Sequence, residues 1–393
     1  MAEEIVNINP KLLQWARYQT GFSLKEAATK ARICSKHSIK PEERLLSWEE
    51  GRAYPTFSQL EALSRAYYTP LMIFFMRRPP KQSDWLLDYR TPNIPKNPKF
   101  NALKIRVLCL QRELWAIAKE EEAEALPFVG SCLVELGVMS TVYGMRSTLN
   151  ITPDDLRHKS SNDTFRILRD KAQMIGIYVI IMGDLGNYKT KVSTNQFRGI
   201  AIADQLAPLI AINNNDAQYA MLFTLVQELV HIFIAASGIS NQDIFDLQSL
   251  PKTPEQFCHA VASEFLVPEK MLMAEWISRD DSLDNFIERM KDNFGVSSEI
   301  IVRRLFDLKL IEMDAYENFV TSFRSKWELN INKERKYAGC SNLNMLKYYN
   351  FGEKVLSTLW RAVDEDMISI LDAARTLNMS VSRFDKVVEY LHN

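Results

Sequence analysis

Apolar residues recur along the first 78 positions at the three- and four-residue spacing of amphipathic helices. This pattern predicts short helices over 10–19, 23–31, 41–50, 56–67 and 70–76. Glu50-Gly51 marks a helix stop and Pro55 a restart. The N-terminal 78 residues are therefore predicted to form a helical bundle of their own.

Residues 79–100 carry five Pro and no helical period, which predicts an extended linker. Its apolar residues favour a linker that is held against the protein rather than free; they are Trp85, Leu86, Leu87 and Tyr89. A long helical pattern follows over 101–126 and ends in an acidic run, which we interpret as a solvated face.

Three β-branched, apolar runs bounded by Gly, Asp and Asn predict strands at 176–182, 197–203 and 207–212. Two apolar helices are expected next, at about 217–236 and at 254–266, where Val267-Pro268 ends the second. We predict an α+β fold that is mostly α, with a small β-sheet beside these two helices.

The remaining residues, 275–393, are helical and polar-amphipathic. Two stretches within them, 294–311 and 368–391, each resemble a pair of helices separated by a short turn. The predicted division of the chain is an N-terminal domain, a linker, a central domain and a helical C-terminal region, over 1–78, 79–100, 101–274 and 275–393.

Composition narrows the function classes. With 47% hydrophobic and 25% charged residues, the chain is not disordered as a whole, and its net charge of −1 supplies no general attraction to nucleic acid or membrane. The five Cys are scattered, without a C-x-x-C pair, which favours a reducing, cytoplasmic location. No signal peptide and no run of roughly 20 apolar residues is present, so no membrane partner is expected.

The helix predicted at 217–236 contains Gln227-Glu228-Leu229-Val230-His231, one letter from the zinc-protease motif H-E-x-x-H. In that motif two His four residues apart share a helix face and bind one Zn²⁺, and the Glu acts as general base. Here Gln227 replaces the first His, and its neutral amide oxygen is a poor zinc ligand. A protease, a metal-bound sensor and an inactive relative all remain open.

Glu255 and His259 lie four residues apart on the next helix, so they share one face. Zinc needs about three protein ligands. We therefore predict a zinc site formed by His231, Glu255 and His259, with Gln227 as a weak donor. Glu228 would be the catalytic residue that polarises water. The alternative is that both His are buried core residues. A buried Glu228 would be costly without a partner or a function, which favours a site.

These residues resemble the ImmA/IrrE metallopeptidase-like family. Its members read H-E-x-x-H, followed by E-x-x-A-N/D-x-F-A-x-x-L-L-M-P. Glu228, His231 and Glu255 match that pattern, whereas Gln227 stands at the first His and His259 at the Asn/Asp position. The resemblance implies a zincin-like domain, with zinc as cofactor and metal-assisted peptide hydrolysis as the activity. The strand before the motif helix would then be the edge that receives an extended substrate.

Residues 12–75 resemble a Cro/CI-like (XRE) helix-turn-helix, and the whole arrangement resembles fused XRE–ImmA proteins of bacteria and phages. Such a module places its third helix in the DNA major groove. The helix at 41–50 is acidic, so DNA binding would depend on nearby basic and polar residues, which we predict to be Lys36, Lys40, Arg44, Ser47 and Arg52. A helical docking domain without base recognition is the alternative.

Two functions remain after the sequence analysis. The first is a regulatory protein whose degenerate metallopeptidase-like domain binds or processes a partner protein, as the resemblance implies for phage, stress-response and toxin–antitoxin settings. The second is a non-catalytic, DNA-binding antitoxin or transcriptional regulator that neutralises a toxin encoded by a neighbouring gene. Gln227 favours the second function, whereas Glu228, Glu255 and His259 favour the first.

Overall fold

The computed structural model describes residues 5–35, 38–67, 69, 71–78, 87–88, 97–185, 190–240, 254–322 and 342–391. The chain forms two compact units. The first consists of Met1–Asp84, Asn93–Glu113 and Gly183–Val192, and the second of Trp85–Pro92, Leu114–Met182 and Ser193–Asn393. The predicted four-part division of the chain stays a prediction.

Four α-helices and one 3-10 helix form the start of the first unit, close to the five predicted spans. They are α1 (Pro10–Thr20), α2 (Leu24–Lys30), α3 (Pro41–Glu49), α4 (Phe57–Tyr67) and a 3-10 helix at Leu71–Phe75. The Asn9 side chain caps α1 by accepting from the amide of Lys11, and Gly21 ends this helix at φ 69°. Ser23 and Glu26 form a reciprocal capping box at α2.

A buried ion pair joins α1 to α3 in this unit. Arg17 donates from Nε and Nη2 to the two carboxylate oxygens of Glu49, at 2.7 and 2.8 Å, and from Nη1 to the carbonyl of Phe22 at 3.0 Å. The Glu49 side chain is fully buried. Arg17 and Glu49 therefore satisfy each other's buried charge.

We expect Arg17→Ala to lower the free energy of unfolding of the first unit by about 3–5 kcal/mol, because it leaves a buried carboxylate without its cation. Faster hydrogen–deuterium exchange in peptides from α1 and α3 would measure the loss. The double variant Arg17→Met/Glu49→Leu removes both charges and should recover most of it. Equal exchange in Arg17→Ala and the unmodified chain would show that the pair contributes little.

The predicted linker and the long helix after it differ from the structure at their boundaries. Helix α5 runs over Pro98–Glu120, so it begins inside the predicted linker and ends before position 126. Proline is tolerated in the first turn of a helix, and Glu122 ends the helical path in a left-handed conformation at φ 53°. Leu87–Asp88 forms strand β1, while residues 79–86 and 89–96 lie outside the described part of the chain.

The second unit contains a mixed sheet of short strands, and three of them lie within the predicted spans. The strands after β1 are β2 (Tyr178–Ile181), β3 (Gly199–Ile202), β4 (Leu209–Ile212) and β5 (Gly238–Ser240). Their order is β1-β5-β3-β4-β2, with β3 antiparallel to β4 and β5, and with the pairs β2–β4 and β1–β5 parallel. The fold is α+β and mostly helical, as predicted.

The expectation that the strand before the motif helix offers a free edge is wrong. That strand is β4, and it pairs along its whole length with both β2 and β3. All four of its residues are buried, which explains why it occupies the interior of the sheet. Among the described strands, the edges are β1 and β2.

The helices of the second unit surround this sheet and continue to the C-terminal end. They are α6 (Gly137–Leu149), α7 (Ser161–Met174), α8 (Gln218–Phe233), α9 (Pro254–Leu266), α10 (Glu269–Ile277), α11 (Leu283–Phe294), α12 (Ser298–Asp307), α13 (described over 313–322), α14 (Leu343–Phe351), α15 (Glu353–Asp364), α16 (Ile370–Thr376) and α17 (Val381–Val388). Residues 368–391 contain α16 and α17, as predicted, whereas 294–311 contains α12 and only the last residue of α11, Phe294. Side chains of α11 and α12 share one hydrophobic core with α8, α9 and the sheet.

Candidate functional site: the polar centre between α8 and α9

Helix α8 places three polar side chains inside the core of the second unit. It starts after Asp216, whose carboxylate pairs with Arg198 at 2.9 Å, and every residue from Ala220 to Phe233 is buried. Gln227, Glu228 and His231 retain only 4%, 0% and 1% exposure. Buried polar groups are costly, so these three residues, which lie with the buried Thr224 in a largely apolar helix, form the candidate site.

Glu228 lies directly against strand β3. A Cβ at Gly199 would overlap the carboxylate of Glu228, so a residue without a side chain is needed at this point of the strand. Gly199 also pairs with Ile212 of β4 and with Ser240 of β5, which fixes the strand on both sides. The sheet therefore sets the position of the Glu228 carboxylate.

His231 of α8 lies close to Glu255 of α9. The Nε2 atom of His231 lies 3.0 Å from Oε1 of Glu255, and the two side chains are 1% and 8% exposed. The two groups thus form a close, buried polar contact that joins α8 to α9.

Cys258 is a member of this centre that the sequence analysis missed. It is fully buried on α9, one turn after Glu255, and lies within hydrogen-bond reach of the His231 ring. Burial raises the pKa of the Cys258 thiol, although His231 lowers it in part. The spacing of three residues from Glu255 was the available signal, because it places both side chains on one helix face.

The charge of His231 depends on the same neighbours. Burial by itself lowers the pKa of His231, but Cys258, Glu255 and Glu228 raise it, and the pKa ends well above the usual histidine range. A carboxylate within contact distance favours the charged imidazolium over the neutral ring.

His259 lies on the same face of α9 and contacts an aromatic ring on α8. The centroids of His259 and Phe223 are 4.9 Å apart in an edge-to-face arrangement. The ligand set His231, Glu255, His259 and Gln227 stays a prediction, of which the structure brings His231 and Glu255 into contact.

Zinc is the metal that the H-E-x-x-H resemblance implies, and the donors present do not fit it. A protein zinc site needs three or four ligands around one point. Within the described ranges, no three His, Cys, Asp or Glu side chains are grouped so that they could hold a metal ion. His231 and Glu255 lie 3.0 Å apart and the Cys258 thiol approaches the same ring, so these donors face one another, and Gln227 contributes only a neutral amide.

The predicted DNA-contacting residues lie on or beside α3 in the first unit, except Lys36, which is outside the described residues. Lys40 is exposed and precedes the first turn of α3. Arg44 donates to the carbonyl of Cys34, Ser47 donates to the carbonyl of Arg44 at 2.7 Å, and Arg52 pairs with Glu50. Of the described residues, Lys40 is thus the candidate for which no intramolecular side-chain bond is observed.

Among the helices that the structure describes, none combines the length and the apolar character needed to span a bilayer.

Comparison with known families gives one match, to the IrrE N-terminal-like domain (Peptidase_M78), over residues 172–306. That family is zinc-metallopeptidase-like, and the matched segment contains the sheet strands β2–β5 together with α8 and α9. Comparisons with curated proteins and with solved structures gave no match. Residues 172–306 of this protein are therefore similar to an IrrE N-terminal-like domain.

Proposed function

We propose that this protein is a regulator whose metallopeptidase-like domain binds a partner protein without cleaving it. The similarity of residues 172–306 to the IrrE N-terminal-like domain supports a regulatory, metallopeptidase-like role at the level of the family. The partner we propose is a repressor or a toxin, in a phage, stress-response or toxin–antitoxin setting. One observation carries the loss of catalysis: a buried amide, Gln227, occupies the position where the chemistry needs a strong ligand.

The polar residues that remain support binding rather than turnover. Glu228 is held against Gly199 and is fully buried, while His231 and Glu255 contact each other across α8 and α9. A general base must reach the proton it removes, either directly or through one water. Because Glu228 is fully buried against β3, the proposed domain presents its partner with a binding surface and no substrate-accessible base.

Complementation of a gene deletion tests this proposal. Transcript levels that change on deletion should be restored equally by the intact chain and by Glu228→Gln, because binding does not need the carboxylate as a base. Leu229→Asp, which places a charge at a fully buried position, serves as the loss-of-fold control. Immunoblots would confirm equal protein levels. Failure of Glu228→Gln to restore transcription at an equal level would contradict the proposal.

A second role, DNA binding by the first unit, is favoured by one observation. Helices α2 and α3 are consecutive and packed on each other, which is the arrangement of a helix-turn-helix pair. We propose that such binding is weak and depends on phosphate contacts, since α3 carries Glu42 and Glu43 in its first turn.

Lys36→Glu/Lys40→Glu should then weaken binding to all DNA sequences by a similar factor in a mobility-shift assay, because phosphate contacts do not distinguish bases. Exposed Lys25→Glu in α2 provides a control for the change in net charge. A tight, sequence-selective complex that survives high salt and both reversals would exclude this mode of binding.

A further inference from the structure

We propose that the polar centre between α8 and α9 is metal-free in this protein, and that the second unit keeps its fold without a bound metal. This goes beyond the proposed binding role, because a non-catalytic domain could still need a metal to fold.

The donors around His231 face one another instead of a shared point. Its Nε2 atom is 3.0 Å from Glu255 Oε1, and the Cys258 thiol lies within hydrogen-bond reach of the same ring. Glu228 is turned towards the backbone of Gly199 in β3. Consistent with these directions, the described part of the chain contains no group of three potential ligands around one position.

The third ligand position cannot be filled by rearrangement of a neighbour on α8. Gln227 is 4% exposed, and every residue from Ala220 to Phe233 is buried within one core. Apart from Gln227, Glu228 and His231, the second half of α8 contains only apolar side chains, which donate nothing to a metal. A neutral amide in this position is a much weaker zinc ligand than the imidazole it replaces.

Packing holds α8 to α9 in place of a metal bridge. Leu229 and Val230 of α8 and Val261 and Phe265 of α9 are fully buried and belong to one hydrophobic cluster. The ring contact between Phe223 and His259 adds to the interface between α8 and α9. Burial of apolar surface is the main favourable term in folding, so the helix pair has its own source of stability.

Metal content and chelator sensitivity of the full-length chain test the proposal. The protein, purified without a polyhistidine tag from cells grown with added zinc, is dialysed and analysed by inductively coupled plasma mass spectrometry. We expect less than about one tenth of a transition-metal ion per chain and a Tm that EDTA leaves unchanged, because the donors face one another instead of surrounding a shared point.

His231→Asn provides the matched control, since it removes one of the two donors that meet. The proposal would be overturned if the intact chain held about one zinc that His231→Asn lost. It would also be overturned if EDTA lowered the Tm of the intact chain but not of this variant. Zinc that His231→Asn does not affect binds elsewhere and leaves the centre metal-free, as proposed.

Discussion

Gln227→His is expected to raise zinc retention through dialysis by about tenfold or more, because it restores the imidazole four residues before His231 on the same helix face. Together with Glu255, whose carboxylate already lies 3.0 Å from His231 Nε2, the new ring would complete a three-ligand set. Zinc content per chain, measured before and after dialysis, reports the change.

Gln218→His is the control for this prediction. Gln218 is the first residue of α8, so this variant adds a His to the same helix more than two turns away from His231. It should leave zinc retention as it is in the intact chain. If the intact chain retains one zinc and Gln227→His does not change that content, the ligand set is a different one.

Glu228→Gln is expected to lower the free energy of unfolding by about 1–3 kcal/mol. The carboxylate is fully buried beside His231, whose pKa it helps to raise. The amide of Gln keeps the size of the side chain but removes the charge that favours the His231 imidazolium, and it leaves a buried polar group less well satisfied. Urea unfolding of the full-length chain measures the difference.

Two further variants show whether the loss comes from this position. The Cβ of Gly199→Ala would overlap the carboxylate and displace Glu228, so this variant should also lower the free energy of unfolding. The exposed Glu317→Gln should change stability little. If Glu228→Gln leaves the free energy of unfolding unchanged yet stops cleavage of a co-expressed partner, the domain is a working peptidase.

The helices and strands around the centre could be predicted because their signals are local. The apolar run of α8 and the Pro268 stop of α9 gave their boundaries to within about three residues. The four-residue spacing of Glu255 and His259 likewise indicated one shared face of α9. Such patterns depend on residues a few positions apart, so they can be read from a single sequence.

Long-range contacts account for what the sequence analysis missed. Strand β1 joins the sheet through two residues of a Pro-rich segment, and β4 is enclosed by β2 and β3. The approach of Glu228 to Gly199 joins residues from a helix and a strand that are 29 positions apart in the chain. Cys258 was overlooked because the ligand motif assigns no role to that position, although its side chain reaches His231.

The most direct test of the account is a survey of new protein N-termini in cells that carry the gene deletion, the intact chain or Glu228→Gln. Terminal amines are labelled and identified by mass spectrometry, so peptide hydrolysis is detected without knowledge of the partner. Since Gln227 removes a ligand that hydrolysis would need, the account predicts the same N-termini in all three strains. A new N-terminus that requires the intact chain and is absent with Glu228→Gln would contradict it.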